Sequence, residues 1–461
     1  SQFGGGIGAS ADEAAGAGNN GSNRDAGGVE VVSSGSVGPY NHTTISVDPG
    51  TPNPEEAALD WLDRNGYDIT ALAPDLLRDY LEGGVNLLAV KLTKDGETGD
   101  IRPIRITYDS ELPMIPIKLT AVAANDDMGV LVWVLGQQRA IPSNYKSLQL
   151  NEAAINWINP NQNYNDVVSL AANEAQGQGF VTEYADRVDE PIQGQFGQQT
   201  DLRQVIFNSS EQAQWETIST RDWTNNEGQL LQDTARYSQF DGYGRVIDDH
   251  VPLPDNVTSE EFAQCPGCFD IIRQNNIENF DPQTFIEQME ALVIEPMSGT
   301  QDLLNSLPYV TRLYTTMSAA EMTLDPVFDF NADLGDQTNQ HVAEQIIECS
   351  RDYTRSEAPW RVELPQGDTV YGIGQTWPVD PEEDDIPATR LIVQEEPMGS
   401  GQVVEDNSAA INDAVQRSNQ RVTDEVSGGI ACSATGNSAV DLSLALVAAG
   451  FGLVAVRRRY S

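Results

Sequence analysis

MGVLVWVLG, residues 128–136, decides how this chain is read. It is apolar at nearly every position, the continuity of a strand buried on both faces. Three β-rich runs precede it: VNLLAVKLT (85–93), IRPIRITYDS (101–110) and PMIPIKLTAVAAN (113–125). Short connections of Gly, Asp and Asn separate them, too short for the helical crossovers that parallel neighbours need. The expected fold class is therefore α+β, with a mostly antiparallel sheet and flanking helices.

Upstream, YNHTTISVD (40–48) reads as a strand, and NPEEAALDWLDRNGYD (53–68) as a helix with Pro54 near its start and Gly66 just past its end. Acids in its first turn suit the helix dipole. APDLLRDYLEGG (73–84) predicts a second helix, stopped by Gly83 and Gly84. Downstream, Asp166–Ala175 predicts another, closed by GQGF before a strand at FVTEY (180–184). A compact domain over 37–186 follows.

Residues 187–205, rich in Gln, Gly and Asp, read as a linker. The region 206–397 reads as more helical: TSEE (258–261) and SAAE (318–321) fit capping boxes, and DPQTFIEQMEALVI (281–294) is amphipathic. Residues 398–428 turn polar and read as a spacer. Residues 1–36 are a Gly-, Ala- and Asn-rich lead too poor in apolar surface to fold. Their GAGNNG (16–21) matches a dinucleotide pattern but follows no strand, so it carries no cofactor site.

Charge excludes one class of partner. The 461 residues hold 70 acids against 26 Lys and Arg, for a net charge of −44. Such a body repels nucleic acid and anionic lipid. Lysine occurs only at positions 91, 94, 118 and 146, a composition that suits either salty surroundings or ordinary secretion.

The last segment, 429–461, breaks this pattern. Leu442–Val456 carries no charge, and Arg457, Arg458 and Arg459 follow it. Those residues span roughly 22 Å as a helix, short of the ~30 Å hydrocarbon core, a gap that local thinning and arginine snorkelling can close. Flanking positive charge belongs on the cytoplasmic side, which predicts a C-terminal transmembrane helix with the body outside. The order Gly428-Gly429, Cys432, apolar span, arginine cluster resembles the myxosortase-type C-terminal sorting signal. That resemblance implies cleavage near Cys432 by a membrane sorting peptidase and retention at the cell surface, although Ile430 and Ala431 separate the Gly pair from the Cys.

The body also resembles a known family. VGPY (37–40), WLDRNGYD (61–68), LLAVKL (87–92), PMIPIKLTAVAA (113–124), MGVLVWVLG (128–136) and YVTRLYTTMSAAEMTLDPVF (309–328) are similar, in that order, to bacterial domain of unknown function 2330. The resemblance runs from about residue 37 to about 375 and implies no activity. Members usually open with a signal peptide and a Cys-Gly-Gly-rich segment. The chain starts at Ser1 without either, which is expected of an N-terminally shortened chain.

Recognised catalytic motifs, G-x-S-x-G, the phosphate loop and H-E-x-x-H, do not occur, and His42, His250 and His341 are far apart in sequence. CPGC (Cys265, Cys268) admits a redox pair, half a zinc site or an oxidised structural clip; the clip is expected of an exported chain. Asp329, Asn331 and Asp333 follow the 1, 3, 5 spacing of a Ca²⁺ loop, but Leu334 and Gln340 stand where Gly and a bidentate Glu belong, so a solvated acidic turn is the other reading. Trp61 and Trp133 are expected in the core; Trp215, Trp223, Trp360 and Trp377, in polar surroundings, could line a groove or pack against loops. The expectation is an exported, surface-anchored protein with an envelope-structural or binding role rather than an enzyme, its ligand unspecified. An exported hydrolase is the alternative.

Overall fold

The computed structural model describes residues 28–37, 40–48, 50–69, 74–92, 106, 110–188, 192–193, 199–200, 209–240, 242–338, 342–347, 357–381 and 385–430. They fall into two compact units. Together they mix sheet and helix in the α+β manner, with antiparallel pairing predominating.

The strand-rich unit begins with β1 (Val29–Val37) and β2 (Tyr40–Val47), an antiparallel pair, so the end of the 1–36 lead, read as unable to fold, is a strand whose Val29 is buried in the core. Helices α1 (Pro54–Arg64) and α2 (Pro74–Glu82) lead to β3 (Leu87–Leu92), which pairs antiparallel with β2. Trp61, Leu62, Leu77 and Leu81 of the two helices close a core over Val29, Ile45 and Val47. PMIPIKLTAVAAN, expected as a strand, instead forms α3 (Ile117–Thr120) and a 3₁₀ turn, Ala121–Ala123. Pro113 and Pro116 cannot donate to a ladder, and only Met114 makes an isolated bridge, to Val327.

The chain continues through β4 (Met128–Gly136), β5 (Arg139–Pro142), β6 (Lys146–Leu150), α4 (Tyr164–Glu174) and β7 (Gly179–Arg187). β4 is the strand that its apolar run predicts, but it is not buried on both faces: Leu131 and Trp133 are exposed, Trp133 by 54%.

The second unit takes Asp186–Val310 with Leu135–Gln138 and is helical. After the short pair β8 (Ile192–Gln193) and β9 (Gln199–Thr200) come α5 (Ser209–Ser219), α6 (Glu227–Thr234), α7 (Tyr243–His250) and α8 (Ser259–Gln264). Then follow α9 (Pro282–Met289), a π-helical stretch (Glu290–Ile294) and α10 (Glu295–Ser306). Thr258 and Glu261 make both halves of a capping box on α8, and Asp281 caps α9. Trp215 and Trp223 are buried here with Tyr237, Tyr243, Phe262 and Phe285.

From β10 (Tyr309–Met317) the chain returns to the strand-rich unit through β11 (Phe328–Asn331), β12 (Glu344–Ile347), β13 (Pro359–Glu363), β14 (Thr369–Ile373), β15 (Thr389–Gln394) and β16 (Gln402–Asp406). Among the described residues, a six-stranded sheet has the order β16-β15-β6-β7-β10-β4, a three-stranded sheet is β12-β13-β14, and β5 pairs with β11. The region 206–397 is thus helical only as far as Ser306, and its strands complete the sheet begun before residue 187. SAAE supplies half a box: Glu321 accepts the Ser318 N–H at 2.7 Å, closing a turn that no helix follows.

Residues 398–428, read as a spacer, hold β16 and most of α11 (Ser408–Ile430). The helix buries Ile411, Ala414, Val415 and Ser418, an i, i+3, i+4, i+7 stripe. The first three pack with Trp360, Val370 and Trp377. The transmembrane segment read at Leu442–Val456 lies outside the described residues, among which no helix is long and apolar enough to cross a membrane.

Candidate functional site

β6 and β7 are parallel neighbours joined through α4, and their register runs from Lys146↔Gly179 to Leu148↔Val181 and stops there. Gly179 permits the close start: a Cβ on it would lie 2.7 Å from the Leu148 side chain. Asn151 ends the contact. Its backbone N–H donates to Ala388 O (2.7 Å), its amide to Pro387 O (2.8 Å), and its Oδ1 accepts the Ala153 N–H (3.0 Å). This draws β6 toward β15 and turns the chain into a 3₁₀ turn, Glu152–Ala154. Past Leu148 and Val181 a cavity of about 400 Å³ opens.

The loop before α4 roofs it. Asn163 accepts the Asn156 N–H and donates to Ala154 O, both at 2.9 Å. The Trp157 indole N–H donates to Glu152 O at 2.9 Å, so that the ring contributes an apolar surface to the lining. Leu148, Ile155 and Val181 continue that wall.

The polar wall centres on Glu183 of β7. Tyr164 donates to Glu183 Oε1 at 2.6 Å, and Arg312 Nε of β10 lies 2.8 Å from Oε2. Burial, reinforced by the negative charge of Glu183, holds the Tyr164 phenol far above its ordinary pKa, so it remains a donor. The Arg312 guanidinium also stands 5.4 Å from the centroid of the Trp133 ring. Glu395 supplies a carboxyl of different character: burial pushes its pKa up, against Arg139 and the Ser147 hydroxyl, which lower it. Glu152 Oε2 accepts the Gln366 N–H at 3.1 Å. No histidine or cysteine lines the cavity.

The residues singled out from sequence stand elsewhere. Asn331 donates to Glu396 O (2.7 Å) and Gly399 O (2.8 Å), and its Oδ1 accepts the Asp333 N–H (2.7 Å). Asp333 accepts the Gly399 N–H (2.8 Å), whereas Asp329 accepts the neighbouring Phe330 N–H (2.7 Å). The latter two residues of the Ca²⁺ pattern thus tie β11 to the 396–399 turn. Among the described residues no group of three or more His, Cys, Asp or Glu is placed to hold a metal ion. Cys265 and Cys268 form a disulfide with Cα atoms 5.4 Å apart, at the surface of the helical unit. Gly428 and Gly429 lie in the last turn of α11; Cys432 and Arg457, Arg458 and Arg459 are outside the described residues.

Sequence reading missed the cavity, yet one signal was present. VTEY (181–184) and VTRL (310–313) place opposite charges at the same point of two otherwise apolar strands, the pattern of an internal ion pair. Arg139, Tyr164 and Glu183 fall within a stretch that has known relatives, whereas Arg312 and Glu395 fall outside it. No curated protein and no solved structure matches the chain. Residues 7–199 match the model of a family described as an uncharacterized protein conserved in bacteria, domain of unknown function 2330.

Proposed function

We propose that this is an exported protein, held at the cell surface by its C-terminal segment, that binds a small ligand in the cavity between β6 and β7. The observation that carries the binding role is the cavity itself: one wall apolar, the other set by the Tyr164–Glu183–Arg312 chain, in a volume typical of small-molecule sites. Surface display rests on the order Gly428, Gly429, Cys432, apolar run, Arg457–Arg459.

Binding is tested by thermal shift of the purified full chain against a small-molecule panel. A ligand that raises Tm in the wild type but not in Glu183→Gln supports the cavity; shifts shared by both proteins remove it. Display is tested by sequencing the C-terminal peptide of the protein from washed native cells: loss of everything after the Cys432 region supports sorting, and a soluble chain intact through Ser461 overturns anchoring.

A hydrolase is the second reading, favoured by two carboxyls in unlike surroundings, Glu395 raised by burial and Glu183 in an ion pair. Binding is preferred because both oxygens of Glu183 are already engaged, by Tyr164 and Arg312, which suits a positioning group better than a nucleophile or base. Release of reducing ends from envelope polysaccharide, lost in Glu395→Gln, would reverse that preference.

A further inference from the structure

We infer that the ligand of this cavity is a neutral, hydroxyl-rich molecule of one or two rings, of the saccharide class. The inference rests on the reading of the cavity as a binding site and adds the chemistry of what enters.

Charge decides the first half. Each cavity carboxylate already faces a donor or a cation: Glu183 has Tyr164 and Arg312, Glu395 has Arg139 and Ser147, and Glu152 has the Gln366 N–H. An anion entering would meet three acids inside a protein of net charge −44. A cation entering would meet Arg139 and Arg312 and would have to compete for acids already paired. A buried charge needs its own partner, and the lining charges already face one another, while the buried Oε2 atoms of Glu183 and Glu395 accept no hydrogen bond and call for a donor rather than a further charge. A neutral ligand incurs neither penalty.

The second half follows from the arrangement of polar and apolar groups. Arg312 Nε forms an ion pair with Glu183 Oε2 at 2.8 Å that is not aligned as a hydrogen bond, and among the described residues the guanidinium donates no hydrogen bond that would hold its fork of donors in place. With its side chain 22% exposed, Arg312 can turn that fork of donors toward the cavity. Gln149, Thr182 and Gln337 add groups that both donate and accept, which suits hydroxyls, themselves both donors and acceptors. Opposite them, the Trp157 ring and the Leu148, Ile155 and Val181 side chains offer a surface with no polar demand. A sugar ring has this same division, C–H groups on its faces and hydroxyls around its edge, and the ~400 Å³ volume is within the range of small-molecule sites.

The test is calorimetric titration of the full chain with glucose, galactose, N-acetylglucosamine, maltose and cellobiose, beside glucuronate and glucosamine as charged counterparts. A neutral sugar should bind more tightly than its charged counterparts, and Arg312→Gln should weaken it about tenfold or more. Gln149→Ala, at an exposed position of the same lining, should weaken binding without altering the melting curve, which covers the case in which the Arg312 variant unfolds. Tighter binding of glucuronate or glucosamine would overturn the neutral class and leave the cavity as a binding site. Sugar binding indifferent to both variants would overturn the placement in this cavity. No heat with any sugar, together with no thermal shift across the wider panel, would remove the binding role itself.

Discussion

Gly372 of β14 stands directly opposite Trp360 of β13, and the indole lies across it. A Cβ at Gly372 would fall 2.1 Å from Trp360 Cζ2. The ring cannot yield, because its N–H donates to Gly374 O at 2.8 Å and its plane stacks on Trp377, 5.6 Å away at 19°. Gly372→Ala should therefore cost about 1–3 kcal/mol, the usual penalty of overpacking a filled core, read as a lower Tm in calorimetry. The same residues show what sequence could convey about side chains. Trp360 and Trp377 sit among polar neighbours in sequence, yet both are buried, 3% and 8% exposed, since their partners come from β14, α11 and the Ala153 carbonyl, which accepts the Trp377 N–H at 2.8 Å. Trp133 erred in the opposite direction: an apolar run establishes a strand but not which of its faces is covered, and that depends on distant elements.

α11 shows how composition can conceal an element. Its sequence averages polar, and only the spacing of Ile411, Ala414, Val415 and Ser418 reveals a buried face. Asn419 completes the docking by serving β14 as a strand would: it accepts the Tyr371 N–H at 2.8 Å and donates to Thr369 O at 2.7 Å. Ile411→Ala should destabilise the strand-rich unit by about 2–4 kcal/mol, measured by urea unfolding, whereas a true spacer would tolerate it. Elsewhere the elements were more legible. The cap of α8 stood in the sequence because a cap is a local pattern. The helix α4 was legible as well, but not the parallel pairing of the strands on either side of it, from which the cavity arises. Register is set by contacts between residues far apart in sequence, and Asn151 acts through carbonyls more than 230 positions away.

At the scale of the molecule, the acidic surplus was fully legible and carries its own expectation. With a net charge of −44, mutual repulsion opposes compaction, and it is screened over a distance that falls from roughly 30 Å at 0.01 M salt to about 3 Å at 1 M. Tm should rise by several degrees over that range of NaCl; a flat or falling Tm would mean that the charges are spaced widely enough to be indifferent. The division into units was less legible, because one unit is assembled from separate stretches, Leu135–Gln138 and Asp186–Val310, and no local pattern marks such a join. The placement of α11 bears finally on mechanics. Tension applied through residues 431–461 enters the strand-rich unit by way of this helix, so the attachments meet the load in reverse chain order: Asn419 and Ser418 first, then Val415 and Ala414, then Ile411. Attachments loaded one after another yield at low force by peeling, and the six-stranded sheet with its cavity is reached only after the helix has come away.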